Sequence, residues 1–176
     1  MKKILGLAAA LGCTACSPGS DSAPADAKGA FMANDFESLR GWVDPNLIDP
    51  GQAHSGKYSS RVDKDHEFGV TYEMPLGKIS DHKIKAMHLE AWVYLPNAQA
   101  AVVGTQIIDP AQANKAVGGD GIKLEEVKTF NKWVKVEKDM PMPDFINSAM
   151  KIRVFLWRGL ATEPVYMDDI KMSIKE

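Results

Sequence analysis

The chain has 176 residues and a formal net charge of −2 at pH 7, and its cysteines are Cys13 and Cys16. A mildly acidic balance excludes ready binding to nucleic acid or to anionic headgroups, which demand an excess of lysine and arginine. With no cysteine beyond position 16, the rest of the chain cannot close an internal disulfide, so burial must supply its stability.

Met1-Lys2-Lys3 gives a short positive start, and the uncharged run from Ile4 to Gly12 matches the roughly 7–15 residues of a signal-peptide hydrophobic region. It falls short of the roughly 20 apolar residues that span a bilayer. The run ends in Ala9-Ala10-Leu11-Gly12-Cys13-Thr14-Ala15-Cys16-Ser17, which resembles the lipobox of bacterial lipoproteins, where a cysteine is acylated and becomes the first residue. Cys13 has the better preceding residues and Cys16 the cleaner polar sequence after it, so both stand as lipidation candidates. Several acyl chains of palmitate type, at about 0.8 kcal/mol per buried methylene, would hold the protein firmly where one would not. The expectation is an exported protein, lipid-anchored to a bacterial membrane, with the outer membrane as its place. Residues 1–15 are then the signal peptide and 16–29, small, polar and Pro-containing, a flexible tether without the apolar surface to fold. Residues 30–176 have the length of one domain.

From Ala30 onward the apolar residues follow period two in short runs separated by Gly, Pro, Asn and Asp, the pattern of strands. Strands are expected over 31–37, 58–62, 68–74, 87–95, 102–108, 122–127, 133–138, 151–157 and 165–174. Gly118-Gly119-Asp120-Gly121 reads as a hairpin turn, because no helix signal follows it to make a phosphate loop. One short helical turn each is expected over 109–115 and 144–150. Eight to ten short strands in one domain predict an all-β, antiparallel β-sandwich.

Several segments carry a resemblance. Asn34-Asp35-Phe36-Glu37, Gly41-Trp42 and Ala53-His54-Ser55-Gly56-Lys57-Tyr58-Ser59 are spaced as in jelly-roll carbohydrate-binding modules of the galactose-binding-domain-like type. Leu89-Glu90-Ala91-Trp92-Val93, Asn131-Lys132-Trp133-Val134-Lys135-Val136 and Val165-Tyr166-Met167-Asp168-Asp169-Ile170 resemble their central, Trp-containing and closing strands. The resemblance covers nearly all of residues 31–174 and implies a jelly roll with its first and last strands adjacent. It implies that Trp42 and Trp133 pack against the core. It also implies a structural calcium where those strands meet, with Glu37 and Asp168 as ligands, Asp35 or Asp169 assisting, and Gly56 or Lys57 carbonyls completing the six to eight oxygens the ion takes. Residues Asp168 and Asp169 read equally well as solvated acids at a strand end.

Alternation assigns two faces to each strand. Leu89, Ala91, Val93 and Leu95, with Ile152, Val154 and Leu156, are core. The opposite positions are Glu90, Trp92 and Tyr94 beside His88, and Arg153, Phe155 and Trp157, to which Gln106 adds. A face of flat aromatics among Arg, Glu and Gln suits a sugar, whose ring C–H groups pack on aromatic faces while its hydroxyls meet planar polar partners. These same residues also read as a packed second layer with a Glu90–Arg153 cross-strand pair. Tyr94 and Trp157, nearest strand ends, are the foremost contact candidates. A few contacts of about 0.5–1.5 kcal/mol each predict affinity near millimolar, useful when many copies act together.

No Gly-x-Ser-x-Gly elbow, His-Glu-x-x-His helix, P-loop or dinucleotide fingerprint is present, and His54, His66, His82 and His88 show no metal-ligand spacing. Only Glu90 with Glu73 or Glu125 could form a glycosidase pair. The sequence therefore predicts a non-catalytic module that binds carbohydrate, against the alternative of an assembly lipoprotein docking on a surface protein. An exposed apolar patch or an open strand edge would favour docking.

Overall fold

A computed structural model describes residues 29–175. The expected signal peptide, Cys13, Cys16 and the expected tether as far as residue 28 lie outside the described residues. The elements are β1 (Ala30–Asn34), β2 (Ile48–Asp49), β3 (Ser59–Val62), β4 (Tyr72–Pro75), α1 (Leu76–Ile79), β5 (Ala86–Tyr94), β6 (Val102–Asp109), β7 (Lys115–Lys123), β8 (Trp133–Pro141), β9 (Lys151–Trp157) and β10 (Val165–Lys175). They form an antiparallel β-sandwich of jelly-roll type. A six-stranded sheet runs β2-β3-β10-β5-β8 with β1 also paired to β10, and a four-stranded sheet runs β4-β9-β6-β7.

The core follows from alternation. On β5 every second residue is buried, Met87, Leu89, Ala91 and Val93. They meet Val103 and Ile107 of β6 and Ile152, Val154 and Leu156 of β9 in one apolar cluster. Each sheet thus contributes its inner face to the layer between them, as a sandwich requires.

β10 departs from strict period two. Its buried apolar positions are Val165 and Met167, then Ile170 and Met172, and its register against β5 slips between Asp168 and Lys171. One extra residue is accommodated as a β-bulge, with Asp169 at φ 45°. The bulge lies where β10 changes neighbours, from β3 at residues 165–167 to β1 at residues 170–173.

Two expectations are corrected. Gly118-Gly119-Asp120-Gly121 is the middle of β7, with Gly121 opposite Gly104 and Gly119 opposite Gln106. A Cβ at Gly119 would collide with the Thr105 carbonyl oxygen, and one at Gly121 with that of Val103, so these glycines let β7 lie close on β6. The chain reverses instead over 110–114, where Asp109 Oδ1 accepts the Ala111 N–H at 2.9 Å and Ala113 and Asn114 adopt positive φ. The short helix α1 follows β4 directly, where the sequence carries no helix signal. Of the two expected helical turns, Pro110–Gln112 forms one turn of 3-10 helix, and residues 144–150 form turns without a helix.

Candidate ligand-binding faces

The seven residues predicted to share one face are divided between the two outer faces of the sandwich. Glu90, Trp92 and Tyr94 stand on β5, in the six-stranded sheet; Gln106, Arg153, Phe155 and Trp157 stand on β6 and β9, in the four-stranded sheet. Alternation gave each strand an outer face without saying which sheet the strand joined. The Glu90–Arg153 pair is therefore absent, and Arg153 pairs with Glu73 instead, Nη2 to Oε2 at 2.7 Å.

On the four-stranded sheet, cross-strand rows place Trp157 beside Val102, Phe155 beside Gly104, and Glu73, Arg153, Gln106 and Gly119 in one line. Phe155 is only 7% exposed; its ring lies over Gly104, where a Cβ would stand 2.8 Å from the ring. It supports the face from beneath and offers a ligand little surface, which corrects its expected role. Above it is Phe68, which sequence reasoning placed in a strand but not in a site. The Phe68 ring meets Phe155 edge-on at 5.5 Å and lies within 20° of parallel to Trp157 at 6.5 Å. Phe68 and Trp157 are 47% and 37% exposed. An isolated bridge between these two residues fixes the pair, and the Trp157 indole N–H donates to Glu67 Oε1 at 3.0 Å. The polar side of the face is equally fixed: Glu73 accepts from Lys151 Nζ at 2.8 Å, and Arg153 Nη1 donates to Gln106 Oε1 at 3.4 Å. Lys151 and Arg153 together hold the Glu73 carboxyl below its ordinary range.

The outer face of the six-stranded sheet carries an aromatic row, Tyr166, Tyr94 and Trp133, then Asp168, Trp92 and Lys135, then Lys171, Glu90 and Glu137, then Ser173, His88 and Asp139. Trp133 is thus outward-facing and half-buried, not core, because its register opposite Tyr94 turns it away from the opposing sheet. Trp42 is 86% exposed: its N–H closes a turn onto the Leu39 carbonyl at 2.9 Å, and Gly41 at φ 86° throws the indole outward. Neither indole therefore packs against the core as the resemblance implied.

Glu90 is bound at both oxygens, to Lys171 at 2.7 Å and to Lys135 at 2.6 Å, and these lysines hold its carboxyl below the usual range. Glu90 and Glu73 face outward from opposite sheets and cannot flank one glycosidic bond.

The loop over 52–58 is stitched to the six-stranded sheet by three carboxylates. Glu37 Oε1 accepts the Lys57 and Tyr58 N–H groups at 2.6 and 2.7 Å. Asp168 Oδ2 accepts those of His54 and Ser55 at 2.7 and 3.1 Å, while its Oδ1 accepts the Asp169 N–H at 2.8 Å. Asp169 takes the His54 ring at 2.6 Å and the Ser55 hydroxyl at 2.8 Å. Gly56, at φ 58°, packs so tightly on Glu37 that a Cβ would overlap its carboxylate. Asp168 is fully buried, and burial pushes its carboxyl up to about 6 against the pull of those N–H groups.

This geometry tests the expected calcium site. The Glu37 and Asp168 carboxylates are brought to the same loop, but the oxygens described are aimed at N–H groups, and Asp35 Oδ1 likewise accepts the Glu37 N–H at 3.2 Å. Among the described residues, the set of three candidate ligand atoms lying within 4.8 Å of one another belongs to His88, Glu90 and Glu137. The ammonium of Lys135 already bridges the two glutamates there, at 2.6 and 3.1 Å. As arranged, Glu37, Asp35, Asp168 and Gly56 fit a loop anchor and not an oxygen cage.

No family model matches the chain and no curated protein sequence matches it. Among solved structures it is similar to the C-terminal family 22 carbohydrate-binding module of Clostridium thermocellum Xyn10B, with TM-score 0.55 and 14% identity over 85% of this chain and 95% of that one. It is similar also to the tandem CBM22-1–CBM22-2 domains of Paenibacillus barcinonensis Xyn10C, with TM-score 0.51 and 15% identity over 84% of this chain and 46% of that one. The xylan-binding CBM22-2 domain of the same protein aligns with TM-score 0.50 and 15% identity over 82% of this chain and 99% of that one. The fold is a carbohydrate-binding-module-like β-sandwich.

Proposed function

We propose that the protein is a non-catalytic glycan-binding module displayed on a bacterial surface by an N-terminal lipid, with the outer face of the four-stranded sheet as its platform. The observation that carries this reading is the pair of half-exposed, nearly parallel rings of Phe68 and Trp157 beside the Glu73–Arg153–Gln106 line. The negative ring faces attract the polarised C–H groups of a pyranose, and the guanidinium and amide supply hydroxyl partners held in fixed positions. The solved structures described above, to which this chain is similar, are carbohydrate-binding modules, which supports the reading. Two ring contacts at about 0.5–1.5 kcal/mol each, less the cost of association, give weak single-site affinity. Lipid attachment at Cys13 or Cys16 would gather many copies and turn weak contacts into firm retention.

The test is a glycan array probed with the full chain presented multivalently. Binding that Trp157→Ala removes is expected; binding that survives Trp157→Ala, Phe68→Ala and Arg153→Ala would move the site elsewhere. Fatty-acid labelling should vanish when both cysteines become serine, and labelling that persists would overturn the anchor. A second reading, docking on a surface protein, draws on the exposed Trp42 and Leu160, at 86% and 85%. A blank array together with a partner lost in Trp42→Ala would favour it.

A further inference from the structure

The six-stranded sheet bears a cavity of about 510 Å³ on its outer face, on the far side of the sandwich from Phe68 and Trp157. Its walls include Trp92 and Glu90 of β5, Lys135 of β8, Lys171 and the bulged Asp169 of β10, and His54 of the anchored loop. We infer that this cavity is a second binding site, for one neutral sugar residue or a similarly compact polyol.

The volume lies within the roughly 300–1,000 Å³ typical of small-molecule sites. The walls are built and rigid. Asp169 sits at φ 45°, a conformation that a non-glycine residue keeps only where its surroundings enforce it. The bulge turns its carboxylate to the His54 ring at 2.6 Å, and the imidazole lies on the Trp92 indole at 3.8 Å and 13°. Bulges re-aim side chains in this way beside functional sites.

The charges select the ligand. Each Glu90 oxygen already holds a lysine, so an entering anion must compete with Glu90 for the ammonium groups, and an entering cation must compete with the lysines for Glu90, with His54 and Ser55 for Asp169, and with the Glu37 N–H for Asp35. A hydroxyl does neither. An ammonium has three donors and a carboxylate about four lone-pair sites; Lys135 spends donors on Glu90 and Glu137 and keeps one for the oxygen of a neighbouring hydroxyl, whose O–H can in turn donate to Glu90. The Trp92–His54 stack supplies the apolar wall that a ring C–H face requires. The inference rests on this cavity alone and does not need the platform on the other sheet.

The test uses the four tryptophans. Their indole N–H signals in the ¹H–¹⁵N spectrum of the full chain, assigned by single Trp→Phe variants, are followed while methyl glycosides of xylose, glucose, galactose and mannose are added. With at least one of them, the Trp92 signal is expected to move saturably, and to move equally in Trp157→Ala. Glu90→Gln and the exposed Lys135→Met should each weaken that response about tenfold, the effect of one charge-assisted hydrogen bond. A Trp92 signal unmoved by every glycoside overturns the inference, as does a response that neither variant weakens. Movement of Trp157 alone leaves the platform standing and removes the cavity; movement of Trp92 alone does the reverse.

Discussion

The imidazole of His54 lies flat on the indole of Trp92, centroids 3.8 Å apart and planes 13° from parallel, and touches the edge of Trp133 at 5.8 Å. A ring that sequence reading assigns to a turn thus caps the aromatic surface of the six-stranded sheet. His54→Ala should cost about 1–2 kcal/mol, from the stacked pair and the lost bond to Asp169. It should also make tryptophan fluorescence more accessible to acrylamide. Unchanged quenching would mean that the loop does not shield Trp92.

Trp157 and Phe155 are two residues apart on one face yet should behave differently. Trp157→Ala removes a partly exposed ring and should lower glycan binding at least tenfold with a stability change of roughly 0.5 kcal/mol or less. Phe155→Ala empties the space over Gly104 and should cost about 3 kcal/mol. Urea unfolding of both variants beside a binding assay checks the separation.

Trp133 faces outward, so its truncation should cost about 1–2 kcal/mol through lost contacts with Tyr94 and His54, less than the roughly 2–5 kcal/mol expected for Leu156→Ala in the core. Trp42→Ala should leave the unfolding midpoint unmoved. A Trp133 variant as damaged as Leu156→Ala would contradict the outward placement.

Two buried aspartates should give opposite pH dependence. Burial alone would raise Asp63, but its bonds to Arg61, His66 and the Asp65 N–H prevail and hold it well below the carboxylate range. Its stabilisation is therefore present above about pH 4 and is lost as the solution is acidified below the unfolded-state value. Asp168 is raised to about 6 by burial. Folded protein retains that proton where unfolded protein has released it, so stability falls as pH rises from about 4 to 6. In urea unfolding, the deficit of Asp63→Asn should shrink below about pH 4, and Asp168→Asn should gain on the parent between about pH 4 and 6.

The loop anchor makes a prediction about chelation as well. Gly56→Ala meets both a positive φ and the Glu37 carboxylate, and should cost about 1–3 kcal/mol. EDTA should leave the melting temperature unchanged, because the placed oxygens of Glu37 and Asp168 serve N–H groups. A fall on chelation would mean that they turn to a cation.

Period-two alternation makes most strands legible in residue order alone: β9 falls where expected, and the buried residues of β5 are those that alternation selects. Even the β10 bulge leaves a trace, since Val165, Met167, Ile170 and Met172 step by two, then three, then two. The pairing of strands into sheets leaves no such trace. Glu90 and Arg153 look like neighbours on one face because each lies opposite a core set, and only the order β10-β5-β8 against β9-β6-β7 separates them. β7 is hidden for a different reason: its glycines satisfy a turn as readily as a close strand approach, and the true turn uses Ala113 and Asn114 at positive φ, with no glycine to mark it. Phe68 escapes notice as a site residue because its partner, Trp157, is distant in sequence and meets it through one isolated bridge.

β1 begins at Ala30 beside Ser173, and β10 ends with Lys175 beside Ala86, so both ends of the described chain leave the sandwich on one side. The connections over 63–67, 95–101 and 158–164 gather on the other, where Phe68 and Trp157 lie next to Val102. The nine residues of β5 set these poles about 30 Å apart. The described chain therefore enters the sandwich at the pole opposite the aromatic pair. On the glycan-binding reading proposed above, a polymer held at the aromatic pole would lie clear of the point where the chain enters the domain.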